Sequence, residues 1–558
     1  MMDNENKQKP AGGPPMTFSM PMYRDFVPLW VRPWIYLVLA FCFQFSNGMY
    51  IGALHDIVGE WGVMREDVQM CLYSTLTGMA LYFPVLFRMK FRFTNHSLLM
   101  TAAAVIVVCN LLTMLRLPMP VVWGLCVVCG MAKIQGTFEC MSNIQLWITP
   151  KRNFAVFFPV LHIVLLSSIE VAGFLAALFA YHMHWHYMHW FVILLMLLVL
   201  VVQAVLTRPV HVMPKIVPLK GLDWFGAVLW CAFWLQTAWV LCYGDWLDWW
   251  HSPQLRLVCG TALITLAVCL QRMTHHPNPF YEPAMWGYRY AVPIILLIGV
   301  VEALFSCEHA LESVFYGAVM HYDNLTSQRL SQWALPGIWV GCLFSLLWLK
   351  VLRWNAYKLI AVGLLVFAVY AGGFYFTVDS SISINQLYLP ILCRGFAYAV
   401  LSIAFMWSLE SVMSFQHFFQ ALSVFNVLHM AIGGLVGAAL HAHGLKYYVA
   451  DGFARCSGYV DAVRASALNV DLGTVASGLG EAFTAQSVKI LFGWTLIAAL
   501  FFAMLMLLWD IPTVRRNIRH IPEWSSVGNG VWRNFKRQQR LHRLRKARRR
   551  ALSLYGGS

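Results

Sequence analysis

Runs of roughly 20 apolar residues, the length needed to cross a hydrocarbon core, recur along the whole chain. They lie near residues 33–57, 67–88, 96–116, 119–148, 153–181 and 188–207, then 222–243 and 254–272. Six more follow at 290–320, 328–350, 358–377, 384–410, 416–443 and 484–510. A soluble chain has nowhere to place so much apolar surface. Hydrophobic residues make up 59% and charged residues 12% of the 558, the latter about half the usual share. The solvent for most of the chain is therefore lipid, and the fold class is an all-α polytopic membrane protein with about 14 transmembrane helices.

The runs group as six, two and six. The expected organisation is a polar N-terminal segment 1–32, a six-helix bundle 33–207 and a linker region 208–289 carrying two extra helices. A second six-helix bundle follows at 290–510, with a long loop at 444–483, and then a basic tail at 511–558. Orientation follows from the asymmetry of basic residues in the short loops, because positive flanks stay in the cytoplasm. Arg88, Lys90, Arg92, Lys151, Arg152 and Arg208 fall on one side, against Arg65, Arg116, Arg256 and Arg329 on the other. Both termini are thus expected in the cytoplasm and the 444–483 loop outside.

The net charge of +15 sits largely in the tail, where thirteen of the 40 Lys and Arg lie between Arg515 and Arg550. Such a tail suits an anionic lipid surface, and no nucleic-acid partner is expected. The 14 Cys fall mostly inside apolar runs, with Cys456 isolated in the polar loop, which implies reduced core residues and no disulfide framework. Residues 1–32 have no early apolar stretch with a small-residue cleavage site, so the first span is expected to be retained.

Several segments resemble the 14-span drug:proton antiporters of the major facilitator superfamily, the EmrB/QacA type. They are Ala53-Leu54 at the end of the first span, Gln135-Gly136 in the fourth, Thr149 to Ala155 entering the fifth, and Trp190-Phe191 entering the sixth. Gly221-Leu222-Asp223-Trp224-Phe225-Gly226 opens the first extra span. Pro390 to Phe396 lies in span 12, and Asn426-Val427-Leu428-His429 in span 13. The resemblance implies a major facilitator fold in a cell inner membrane, alternating access around a midplane cavity, and proton-coupled efflux of drugs or other amphipathic organic compounds. In two-membrane bacteria it also implies a possible periplasmic adaptor and outer-membrane channel as partners. The family's first-span Asp falls near Ser46, and Lys133 sits one residue past the position of its span-four Arg. A coupling acid is therefore sought elsewhere. Two rival readings stay open: a transporter of a specific metabolite, and a non-transporting receptor with the same fold.

Polar residues at membrane depth are the site candidates, because each is costly in lipid unless it faces a bundle interior. The proton-coupling candidates are Glu139, Glu170, Glu302 and Glu308. Glu139 shares a helix face with Gln135 and Asn143 at four-residue spacing. Glu170 has no basic neighbour in sequence, which leaves Lys133 as a possible partner in space. Glu302, Glu308 and Glu312 crowd one span, with Glu312 placed nearer the outer interface. The substrate-cavity candidates are Gln44, Asn47, Gln135, Asn143, Arg394, Asn426 and His429, and Arg394 and His429 are positioned to pair with the acids. The run Tyr181 to Trp190 alternates His with aromatic residues. It could bind a transition metal, but it also suits an interfacial belt, and no metal site is expected. With no clustered nucleophile, metal triad or phosphate loop, neither an enzyme nor a cofactor is expected.

Overall fold

In hydrocarbon every backbone N–H and C=O must be satisfied within the protein, so apolar runs of this length become helices. The computed structural model describes residues 22–508 apart from 47–48, 150–152, 211–220, 289, 380–381 and 458–471, and among the described residues it is built from helices. Among the described residues twelve helices are long and apolar enough to cross a membrane, and the chain is a multi-pass membrane protein. They include α4 (Arg65–Arg92), α5 (Asn95–Thr113), α6 (Met119–Ile148), α7 (Phe154–His182) and α8 (Tyr187–Leu206). Two more are α9 (Trp224–Tyr243) and α10 (Pro253–His275).

The first expected span is broken, into α1 (Arg32–Gln44) and the short α2 (Met49–Gly52), followed by α3 (Leu54–Trp61). In the second half of the chain, α11 (Ala291–Phe305) continues through π turns at Glu308–Glu312 and Phe315–Val319. Then come α12 (Asn324–Ser331), α13 (Ala334–Leu346) with a π turn at Leu347–Leu352, α14 (Ala356–Thr377) and α15 (Tyr388–Val412). The thirteenth expected span is α16 (Phe415–Val427), a π turn at Leu428–Ile432 and α17 (Gly433–Cys456). The last is α18 (Leu472–Leu508).

Two boundaries differ from expectation. The 444–483 segment is largely helical, because α17 runs to Cys456 and α18 starts at Leu472. Lys446 pairs with Asp245 at 2.7 Å and Arg455 with Asp451 at 2.7 Å, so the polar residues that read as loop line an exposed helix. Part of the N-terminal segment also packs: Tyr23 is buried and bridges to Thr207, with the Arg208 amide donating to the Met22 carbonyl at 2.8 Å. The basic tail lies outside the described residues. All 14 cysteines are free thiols.

The helices meet where residues are smallest. Between α4 and α6, a Cβ on Gly78 would lie 2.2 Å from the Val127 carbonyl oxygen, and one on Gly130 would lie 2.1 Å from that of Thr75. The same crossing recurs between α13 and α15. There Gly337 would meet the Leu392 carbonyl at 2.0 Å, and Gly395 that of Ala334 at 2.2 Å. Small residues let backbones approach closely where hydrophobicity alone gives no reason to associate. α9 and α10 pack on each other, and α9 also packs on α4 and α17. α7 reaches across to α12, α13 and α15, and α4 meets α16.

Candidate functional site

At the crossing of α7 with the second half of the chain, α15 presents Arg394, which is 2% exposed. Its guanidinium lies among three carboxylates. Nη1 donates to Glu312 Oε2 at 2.8 Å, while Nη2 lies 3.1 Å from Glu308 Oε1 and 3.9 Å from Glu170 Oε1. Nη2 directs a well-aligned hydrogen bond at neither acid. Glu308 and Glu312 stand four residues apart, so both can reach the arginine from one face, and the chain between them forms a π turn.

The three acids are not equivalent. Glu312 is as buried as Arg394 and is saturated: Tyr316 donates to Oε2 at 3.1 Å and Tyr370 donates to Oε1. Glu170 and Glu308 keep 18% and 23% of their side-chain surface, and neither has a well-directed hydrogen bond from the arginine. One fixed positive charge thus faces three carboxylates. Fully ionised, the cluster would carry an excess of two negative charges in a low-dielectric interior. Isolated ions there cost several kcal/mol each, so a proton or another cation on the two part-exposed acids relieves the excess. The partner of Glu170 is Arg394 rather than Lys133.

A second pair lies nearby in sequence but on other elements. His429, in the π turn between α16 and α17, is 2.6 Å from Glu302 of α11 through Nδ1. Tyr398 stacks on the imidazole at 5.7 Å and holds the ring in plane. The approach of the two helices depends on Gly433, where a Cβ would lie 2.7 Å from that of Glu302. Asn426 donates to the Leu422 carbonyl at 2.8 Å, a bond within its own helix.

In the first half of the chain the polar stripe on α6 is consumed by its neighbours. Lys90 pairs with Glu139 at 2.9 Å, and Asn95 donates to the same oxygen at 2.9 Å. Gln135 donates to the other oxygen at 3.1 Å, and Asn143 to the Glu139 carbonyl at 2.8 Å. Both Glu139 oxygens thus accept hydrogen bonds, while Gln135 Oε1 is left without a partner. Lys133 is fully buried and donates to the carbonyl of Gln44 at 3.1 Å, while the Gln44 amide donates to Thr137 at 2.9 Å. The Lys133 amine thus donates to a carbonyl of the last turn of α1, at the negative end of the helix dipole. Asn47 lies outside the described residues.

The largest feature that sequence reasoning missed is this division of labour among acids. Lys90 reads only as a topology charge, and Tyr316 and Tyr370 are not among the site candidates. A cavity of about 790 Å³ between α11, α17 and α18, lined by Leu296, Val300, Leu440 and Trp494, does not include Arg394 or its acids.

No protein-family model matches the chain, and no curated protein matches it. Solved structures do. The nucleoside transporter NupG aligns over 87% of this chain and 100% of its own, at 11% identity and a TM-score of 0.51. A peptide transporter POT in complex with sulfate aligns over 88% and 96%, at 14% identity and a TM-score of 0.53. At such identities the likeness speaks for architecture alone, and the chain has the major facilitator fold.

Proposed function

We propose that the chain is a proton-coupled secondary transporter that exchanges protons for amphipathic organic compounds by alternating access. In this reading the halves 33–207 and 290–510 rock about the Arg394 cluster, and residues 208–289 supply two peripheral helices. The observation that carries it is the ratio of three carboxylates to one guanidinium at the junction of the halves, with Glu170 and Glu308 part-exposed and Glu312 locked. Glu312 is the permanent counter-ion of Arg394. Glu170 and Glu308 carry the exchangeable protons, and an arriving solute cation would displace them without stranding negative charge. Because Glu170 belongs to α7 and the other groups to the second half, loading it changes what holds the halves together. Drug efflux as the substrate class is carried by the motif resemblance, from Gly221-Leu222-Asp223 to Asn426-Val427-Leu428-His429.

The test is accumulation of ethidium, a fluorescent amphipathic cation, by the full chain in proteoliposomes with an imposed proton gradient. Glu170→Gln and Glu308→Gln preserve shape while fixing the uncharged form. Each is expected to abolish gradient-driven accumulation and to leave ethidium binding in place. If both variants accumulate ethidium at the wild-type rate, proton coupling at this cluster is wrong.

A further inference from the structure

The end of the first half opposite the Lys90–Glu139 pair carries a group of side chains that transport does not use. Glu60 lies in the last turn of α3, and the short connection from α7 to α8 brings His184 and His186 against it. His184 Nε2 is 3.1 Å from Glu60 Oε2, His186 Nδ1 is 3.8 Å from the same oxygen, and the two imidazole Nδ1 atoms are 2.8 Å apart. One ligand atom from each of the three residues can be chosen so that all lie within 4.8 Å of one another. Ligand atoms at about 2.0–2.2 Å from a tetrahedral Zn²⁺ stand roughly 3.3 Å apart. Glu60 Oε2, at 3.1 Å from His184 Nε2 and 3.8 Å from His186 Nδ1, is near the spacing that a metal would impose. We propose that Glu60, His184 and His186 form a three-ligand site for a divalent transition metal of the zinc class, with the fourth position open to water.

The surroundings match what holds such ligands in place. The Trp185 indole N–H donates to Glu60 Oε2, and Arg116 donates to Oε1 at 2.8 Å, so the carboxylate is fixed at both oxygens. Trp185 is buried and stacks on the His186 ring at 3.9 Å, which fixes its orientation. Partners that orient ligands in this way are as much a part of metal sites as the ligands. An interfacial belt explains His and Trp between two spans, but it does not explain their convergence on an acid from a different helix. His189 is not part of the group, since its Nδ1 bonds Asn110 at 2.9 Å. His184, 50% exposed, gives solvent access. A bound ion would clasp α3 to the α7–α8 connection and stiffen this rim.

The full chain, purified in detergent and stripped with chelator, is titrated with Zn²⁺ alone by calorimetry. One Zn²⁺ per chain is expected. Outer-shell changes typically cost about 10–100-fold in affinity, so His184→Ala and Glu60→Gln, which remove ligands, are expected to lose at least ~100-fold. Trp185→Phe, which removes only the indole donor, is expected to lose roughly 10-fold. His184→Ala removes a half-exposed ring, and an unchanged elution profile and metal-free melting point establish that it folds. His182→Ala, in the same run but outside the cluster, should bind as wild type. Absence of Zn²⁺ binding by the wild type overturns the proposal. So does wild-type affinity in both His184→Ala and Glu60→Gln, or an equal loss in His182→Ala.

Discussion

Lys90 and Glu139 are exposed at only 5% and 1%, and each is the other's counter-charge. Desolvation makes such a pair worth little against a well-packed apolar pair, but removing one partner strands a buried charge at about 3–5 kcal/mol. Glu139→Gln keeps the shape but leaves one acceptor oxygen where Asn95 and Gln135 donate to two, and it strands Lys90; Lys90→Met strands Glu139. Each single variant is expected to lower the melting midpoint of the purified chain by an amount matching that cost. The double variant should recover most of it, because no unpaired charge remains. Simple addition of the two losses in the melting curves would mean that the pair is not coupled. The stripe containing Glu139 was legible at the residue scale from its four-residue spacing. Its partner was not, since Lys90 lies 49 residues away and carries the same signature as any topology charge. The Arg394 cluster was legible as a set of suspicious residues but not as an arrangement. Which acid is locked and which are loose depends on partners from other elements, such as Tyr370 on Glu312, and sequence spacing carries no trace of them.

Among elements, the decisive contacts are the glycine crossings of α4 with α6 and α13 with α15. Replacing Gly by Ala in a helix gains up to about 1 kcal/mol in propensity, whereas overpacking a rigid contact costs about 1–3 kcal/mol. At Gly78 and Gly337 the obstructing atoms are backbone carbonyl oxygens at 2.2 and 2.0 Å, which cannot swing aside, so the cost wins. Gly78→Ala and Gly337→Ala are expected to reduce the yield of monodisperse protein and its melting midpoint. Gly124→Ala, on the same α6 but with nothing within 4 Å of its new methyl, should leave both unchanged or slightly raised. Equal behaviour of all three in size-exclusion and melting measurements would remove the crossings from the account. The spans themselves were readable because run length is what lipid selects. The α17 extension was not, since Lys446, Asp451 and Arg455 resemble loop composition until Asp245 and the i,i+4 pairing give them partners.

At the scale of the whole molecule, the two halves touch in two places that rocking cannot keep together. At one, Asn324 donates to the Gly52 carbonyl at 2.7 Å, Gln332 to that of Glu170 at 3.0 Å, and Trp339 to Ser167 Oγ at 2.9 Å. At the other, the Phe87 and Phe419 rings meet edge to face at 4.2 Å. Alternating access requires one contact to open while the other closes. Three hydrogen bonds at about 1 kcal/mol net apiece sum to roughly 3 kcal/mol, an amount that the differential affinity of a ligand for two states can supply. A covalent bridge is beyond that supply. A Cβ on Gly173 would stand 3.1 Å from Gln328 Oε1 with nothing else nearby, so cysteines at 173 and 328 fit without strain and span the first contact. A short, reducible bifunctional thiol reagent applied to Gly173→Cys/Gln328→Cys in proteoliposomes is expected to stop solute flux, and reduction to restore it. Each single-cysteine variant treated in the same way should transport throughout, which separates bridging from modification of the native thiols. Undiminished flux through the fully bridged double variant would mean that the halves do not part between α7 and α12, and a rocking mechanism would have to be abandoned for this chain.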